Sequence, residues 1–312
     1  MVDTYLTLWA KKELVYATDA APTGAANAVL CFDLQTKPFD IDQLARKLDR
    51  PVRGGTGSVA SNQRRQFSYK VELAGSGAAG TAPGWMELNE ACGMAAATLT
   101  PAQKAEQKFA AINVNISSLT QYHWVGPQRR RGVGGRGDIS AINLEAGKIP
   151  YIEYAWIEML HAAGIDNVAP VGSVYTRWIE PVEVNAANTI MTVHGFAVVC
   201  RSLDIKVGAQ VDFRDLPGKK YVSRGNHEIT VDMLIELPDL PAKDYFAAAL
   251  TNITGPLSVI HGLVPGNIVE LSSDFLQITD VKDASEGQVA MARLTGILKV
   301  NLGQDDLIIT AK

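Results

Sequence analysis

Apolar and polar residues alternate along two stretches of the chain. Phe67, Tyr69, Val71 and Leu73 are interleaved with Ser68, Lys70 and Glu72; Ile229, Val231, Met233, Ile235 and Leu237 are interleaved with Thr230, Asp232 and Glu236. Successive side chains of a strand point to opposite faces, so this period of two predicts strands with one buried face. Apolar runs predict further strands over 29–34, 139–144, 194–205, 257–263, 267–278 and 288–300. Helical spacing is rarer. Trp85, Leu88, Cys92 and Ala95 share one face of a helix over 84–96, and Tyr245, Phe246, Ala249, Leu250 and Ile253 share one over 242–253. Thr100, Pro101 and Gln103 read as the capped start of a third helix. The stretch 151–164 fits either period.

The order of these elements recurs. Val29-Leu30-Cys31 leads into a long polar segment, then the strand ending Val71-Glu72-Leu73, a proline-led helix and more strands; Val198-Val199-Cys200 leads into another, then Ile235-Glu236-Leu237, Pro241, a helix and more strands. The expectation is a mainly β fold of two tandem β-sandwich domains, 1–165 and 166–312, each with a flanking α-helix. The long segments, 36–65 and 206–227, exceed a simple hairpin turn and carry glycine and basic residues.

Composition narrows the classes. Of 312 residues, 47% are hydrophobic and 20% charged, which suits a packed globular protein. No apolar run is long enough for a membrane helix, and Met1-Val2-Asp3-Thr4 does not begin a secretory signal. Cys31, Cys92 and Cys200 are widely spaced and read as buried free thiols. A net charge of −4 argues against a general nucleic-acid binder.

Candidate chemistry is sparse. Gly75-Ser76-Gly77-Ala78-Ala79-Gly80 matches a dinucleotide-binding fingerprint, but Pro83 delays the helix and no alternating βαβ pattern follows, so it reads as a strand-to-helix loop. Arg129-Arg130-Arg131-Gly132-Val133-Gly134-Gly135-Arg136-Gly137 reads as a flexible hairpin tip aimed at an acidic patch on a neighbouring subunit. Arg136-Gly137-Asp138 also spells a cell-attachment tripeptide, to which three residues lend no weight. No two of His123, His161, His194, His227 and His261 have metal-ligand spacing; His194 and His261 read as hydrogen-bonded structural histidines. No GxSxG elbow and no carboxylate pair suggests catalysis. The expectation is a non-enzyme with no catalytic, cofactor-binding or metal-binding residues and no cofactor.

Several segments resemble the major tail tube proteins of long-tailed bacteriophages and prophages. They are Phe67 to Gly77 running into Ala82-Pro83, then Trp85, Leu88 and Ala91-Cys92-Gly93; Gly135 to Ile139; and Asn143-Leu144-Glu145-Ala146-Gly147-Lys148-Ile149-Pro150. Asn188-Thr189, His194-Gly195, His261-Gly262 and Gly266-Asn267 add to the likeness, which covers most of the chain from about residue 60; the tract 99–116 and the arginines at 129–131 depart from it.

The resemblance implies a virion structural protein that assembles in the host bacterial cytoplasm into stacked rings, closing a β-barrel tube through which DNA is ejected. Its implied partners are further copies of itself, as a trimer with pseudo-sixfold symmetry or a hexamer, together with tape-measure, tail terminator and baseplate proteins, and no membrane. Within that picture Ser68, Lys70, Glu72, Glu228, Thr230, Asp232 and Glu236 line the lumen, Lys70 lying near Glu72 or a neighbouring subunit's carboxylate. Arg53, Gly54, Gly55, Gly57, Gly218, Lys219 and Lys220 belong to ring-stacking loops, and Arg129, Arg130, Arg131 and Arg136 to an inter-subunit loop. The competing readings are a tail terminator or baseplate hub component, a carbohydrate-active or hydrolytic β-sandwich enzyme, and a nucleic-acid binder using 129–137.

Overall fold

The computed structural model describes residues 6–51, 54–111 and 116–312. Strands account for 53% of the chain and helices for 6%, so the fold is mainly β, built of large antiparallel sheets. The first half holds β1 (Leu6–Lys12), α1 (Gly24–Asn27), β2 (Ala28–Val29), β3 (Phe32–Thr36), β4 (Asp40–Ala45), β5 (Ser58–Glu72), α2 (Gly84–Ala91), β6 (Thr98–Thr100), β7 (Lys104–Lys108), β8 (Leu119–Val125), β9 (Gln128–Glu145) and β10 (Tyr151–Asp166). The second half holds β11 (Thr189–Val193), β12 (Phe196–Ala197), β13 (Cys200–Lys206), β14 (Val211–Leu216), β15 (Lys219–Arg224), β16 (Ile229–Glu236), α3 (Tyr245–Leu250), β17 (Thr254–His261), β18 (Val269–Glu286), β19 (Val289–Leu298) and β20 (Ile308–Ala311).

The first half pairs in the order β1–β8–β9–β10–β5–β3, with β4 alongside the start of β5. The second half pairs in the order β11–β17–β18–β19–β16–β13. The orders match strand for strand, and α2 follows β5 as α3 follows β16. A bulge recurs too: the register slips between Leu119 and Gln121 in β8–β9, and between Gly255 and Leu257 in β17–β18.

The halves also join directly. β13 pairs with the end of β9, Leu203 opposite Leu144 and Ile205 opposite Ile142. β20 bridges β18 and β7. The Gly75–Gly80 segment belongs to this junction. Gly75 N donates to Asn267 Oδ1 at 2.9 Å, and a Cβ on Gly75 would lie 2.0 Å from Gly266 O. Close backbone approach is what this glycine serves.

Phe67, Tyr69, Val71 and Leu73 are buried, as are Ile229, Val231, Met233 and Ile235, and all belong to one hydrophobic cluster spanning both halves. Each such side chain contributes about 1.5–3 kcal/mol on burial. Leu237 departs from the expectation: it lies beyond β16 and is exposed, since Pro238 cannot continue the ladder. The expected third helix is a hairpin turn. Gln103 N donates to Thr100 O at 3.0 Å, and Ala102 has φ of 56°, so Pro101-Ala102 link β6 to β7 rather than start a helix. The ambiguous 151–164 is strand β10. The strand expected over 194–205 breaks at Val198-Val199, where the chain leaves β11 and joins β16.

One part of the core is polar. Arg65 and Glu158 sit opposite each other on β5 and β10, 1% and 0% exposed, with Nη1 and Oε1 2.8 Å apart but not aligned as a hydrogen bond. His123 touches Arg65 Nη2, and its Nε2 lies 2.7 Å from Thr36 Oγ1. Burial pushes the Glu158 carboxyl up to about 8 despite the pull of Arg65, and pushes His123 well down. Gly132 makes room for this pair, because a Cβ there would lie 1.9 Å from Glu158 Oε1.

Candidate assembly surface

Because β13 joins β9, one sheet runs β3–β5–β10–β9–β13–β16–β19–β18 through both halves. Directly opposed residues share a face, so its outer side can be followed rung by rung. One rung is Phe32–Lys70–Glu153–Ala141. The next is Glu72–Tyr151–Asn143–Asp204–Asp232–Thr295–Asp280. Beyond it come Glu145–Ser202–Leu234–Arg293–Lys282, and then Lys206–Thr230–Ile297 and Glu236–Met291–Ala284.

Lys70, Glu72, Thr230, Asp232 and Glu236 therefore lie on one continuous face, with Ser68 one rung further between Gln35 and Ala155. Glu228 precedes β16 and is exposed. The basic groups of this face are paired: Lys70 with Asp33 at 3.0 Å, Lys206 with Asp204 at 3.3 Å, Lys282 with Asp280 at 2.9 Å and Arg293 with Asp232 at 2.9 Å. Asp33, not Glu72, is thus the partner of Lys70, because β3 brings it alongside β5. Glu72, Glu153 and Glu236 have no ion-pair partner among the described residues, so the face is net acidic. Partial burial and nearby Glu180 push the Glu72 carboxyl up. Reading single strands missed Asp204, Lys206, Glu153 and Glu145, although Leu203-Asp204-Ile205-Lys206 already alternates; only pairing shows that these residues share the face.

The segments holding the expected ring-stacking loops form hairpins. Gly218, Lys219 and Lys220 make the tight turn and first rungs of β14–β15. Gly54, Gly55 and Gly57 lie at the tip of β4–β5, and Arg53 lies outside the described residues. The β14–β15 hairpin packs on the first half: Val211, Phe213 and Val222 meet Val133, Ile157, Met159 and Tyr16. Val222 N donates to Tyr16 Oη at 2.6 Å. Ile157 is opposite Gln66, so the hairpin covers the far end of the polar face. β4–β5 has no such cover; Phe39, Leu44 and Val59 are 52%, 57% and 51% exposed.

The arginines are not a flexible tip. Arg129, Arg130, Arg131 and Arg136 lie within β9. Arg129 and Arg131 pair with Asp166 at 2.7 and 2.8 Å, while Arg136 donates to Val222 O at 2.9 Å and to Ile116 O at 3.0 Å. Glycines 132 to 137 suggested a loop, but they are in-strand positions where neighbouring side chains cross close to the backbone.

The edges of the sheet differ. β9 is flanked by β10 on one side and by β8 then β13 on the other. β18 is flanked by β19, and by β17 only as far as Gln277; residues 279–286 meet no strand on that second side among the described residues. Among the described residues, β3 and β4 pair with β5 alone.

His194 Nε2 bonds Leu276 O at 2.9 Å, and His261 bonds Val182 O at 3.1 Å and Thr189 Oγ1 at 2.9 Å. Cys31 and Cys200 are half-buried and Cys92 buried, all free. Among the described residues, no group of three or more His, Cys, Asp or Glu is placed to hold a metal ion, and no helix is long and apolar enough to cross a membrane. A cleft of about 580 Å³ between β3, β10 and the start of β14 carries Lys37 and Asp138 as its ionisable groups. No protein-family model matches the chain, and no curated protein matches it.

Proposed function

We propose that this chain is a structural protein, the major tail tube protein of a long-tailed bacteriophage, whose rings stack into the hollow tube through which DNA is ejected. The observation that carries this reading is the single sheet spanning both halves, with a net acidic outer face and, among the described residues, an unpaired edge at either end. An exposed sheet edge invites pairing with another chain, and closure into a barrel removes it. The repeated strand order supports two tandem sandwich domains per chain, hence a trimeric ring with pseudo-sixfold symmetry.

The dimensions are consistent. Each chain supplies the strands β3, β5, β10, β9, β13, β16, β19 and β18. Three chains, with strands about 4.8 Å apart and tilted about 40°, enclose a wall about 150 Å around and about 48 Å across. Side chains narrow this to a channel wide enough for duplex DNA. Its acidic face repels phosphates and keeps the polymer from adhering.

In the cleft between β3 and β10, Lys37 and Asp138 do not make the paired carboxylates that glycoside hydrolysis uses. Negative-stain images of the concentrated chain test the proposal. Rings or hollow tubes are expected; a strict monomer at every concentration would overturn it. In assembled tails, Glu72→Lys with Glu236→Lys should leave tubes intact and slow DNA ejection.

A further inference from the structure

The junction between the halves is a template with one copy missing. In each half the strand order ends in an outer strand, β13 or β3, and contains a long strand, β9 or β18, that outruns its neighbour. Within the chain β13 fills the side of β9 beyond β8. The equivalent side of β18, beyond β17, is empty among the described residues, and so is the outer side of β3.

We propose that in the assembly β3 of one chain pairs antiparallel with residues 279–286 of the next, and that its β4–β5 hairpin lies over the next chain's second-half sheet. This rests on the ring reading above and names the surfaces that close it. The occupant is a second copy of this chain, because the fitting partner edge is already present in the sequence.

The rungs fix the register. Asp204 is opposite Asp232 on one side and Asn143 on the other. Gln35 takes the place of Asp204, since Gln35–Ser68–Ala155 repeats Asp204–Asp232–Thr295. Ala284 takes the place of Asn143, since Ala284–Met291–Glu236 repeats Asn143–Tyr151–Glu72. Gln35 of one chain therefore faces Ala284 of the next, with Thr36 opposite Asp283 and Leu34 opposite Ser285.

The hairpins give an independent argument. β14–β15 buries Val222 fully against Ile157 and Met159, whereas the corresponding β4–β5 leaves Phe39, Leu44 and Val59 about half exposed. On the second half, Ile297 holds the rung that Ile157 holds on the first, being opposite Thr230 and Gln277 as Ile157 is opposite Gln66 and Arg136. It is the landing point for the exposed arm. Such a contact is head-to-tail, so it propagates until it closes.

The test is a disulfide between Gln35→Cys and Ala284→Cys, formed by mild oxidation of the concentrated protein. Directly opposed antiparallel residues meet the geometry of a disulfide. Linked dimers and trimers are expected from the double variant and none from either single variant. Rings or tubes without the link would overturn the edge pairing and leave the tube reading standing. Linked chains without rings or tubes would support the pairing and sink the tube reading. No link and no assembly would overturn both. As a second measurement, Leu44→Lys with Val59→Asp, an opposed pair of unlike charge, should leave the monomer's Tm nearly unchanged and weaken assembly at least about tenfold, since exposed positions barely affect stability; undiminished assembly would remove the hairpin from the interface.

Discussion

Matching rungs of the two halves carry opposite chemistry. In the first half Arg65 faces Glu158 and touches His123. In the second, Ile229 faces Leu298 at the same rung, and Val259 stands where His123 stands. All six are buried. One topology therefore tolerates either an ion pair or three aliphatic side chains at this place, so the pair is not needed for the fold as such. The desolvation of buried charges commonly cancels their attraction.

The comparison breaks most visibly if one partner is removed. Glu158→Leu leaves Arg65 buried without its carboxyl partner, and should cost up to about 3–5 kcal/mol in denaturant unfolding at pH 6, below the folded-state titration of Glu158, and less at pH 9, where that contribution is lost. A loss under 1 kcal/mol would mean that water reaches Arg65. Importing the whole second-half set, Arg65→Ile, Glu158→Leu and His123→Val, should match or exceed the wild type by up to about 4 kcal/mol. A triple variant weaker than the single one would show that the halves are not interchangeable here.

The same triple variant should flatten the pH profile of Tm. Burial pushes the Glu158 carboxyl up to about 8 from its ordinary 4.5, so its contribution is full below 4.5 and is lost as pH rises through about 8. His123 is depressed below 6.5, so its contribution is present above 6.5 and is lost as pH falls. Wild-type stability should fall on both sides and the variant's less on each.

Smaller effects separate the hairpins. Val222→Ala should cost about 1–3 kcal/mol, because it opens a cavity against Val133 and Met159. Val59→Ala, at the exposed hairpin, should stay within about 0.5 kcal/mol in the monomer. Smallest of all, Lys70→Gln, which removes the surface pair with Asp33, should cost no more than about 1 kcal/mol. Chemical denaturation of dilute protein measures each.

Much of the sheet was legible because alternation and burial coincide: Phe67 to Leu73 and Ile229 to Ile235 turn their apolar residues inward. What stayed hidden depends on pairing. Arg129 and Arg131 looked like a loop because their partner Asp166 lies far along the chain. Thr100-Pro101 looked like a cap because a turn and a helix start draw on the same residues. The polar face was half legible, since Lys70 and Asp232 follow from their own strands while Asp204 and Glu153 join them only through neighbours. Nor did the alternating pattern of β5 announce that its core face would end in a buried arginine at Arg65.

The central claim is that edges empty in one chain are filled by the next. Amide hydrogen exchange tests it directly, on dilute and on concentrated protein. Amides of 32–36 that point away from β5, and those of 279–286 that point away from β19, should exchange quickly when dilute and at least about 100-fold more slowly when assembled. Residues 202–205, already paired with β9, should exchange equally slowly in both. Assembly that leaves 32–36 and 279–286 unprotected would contradict the account.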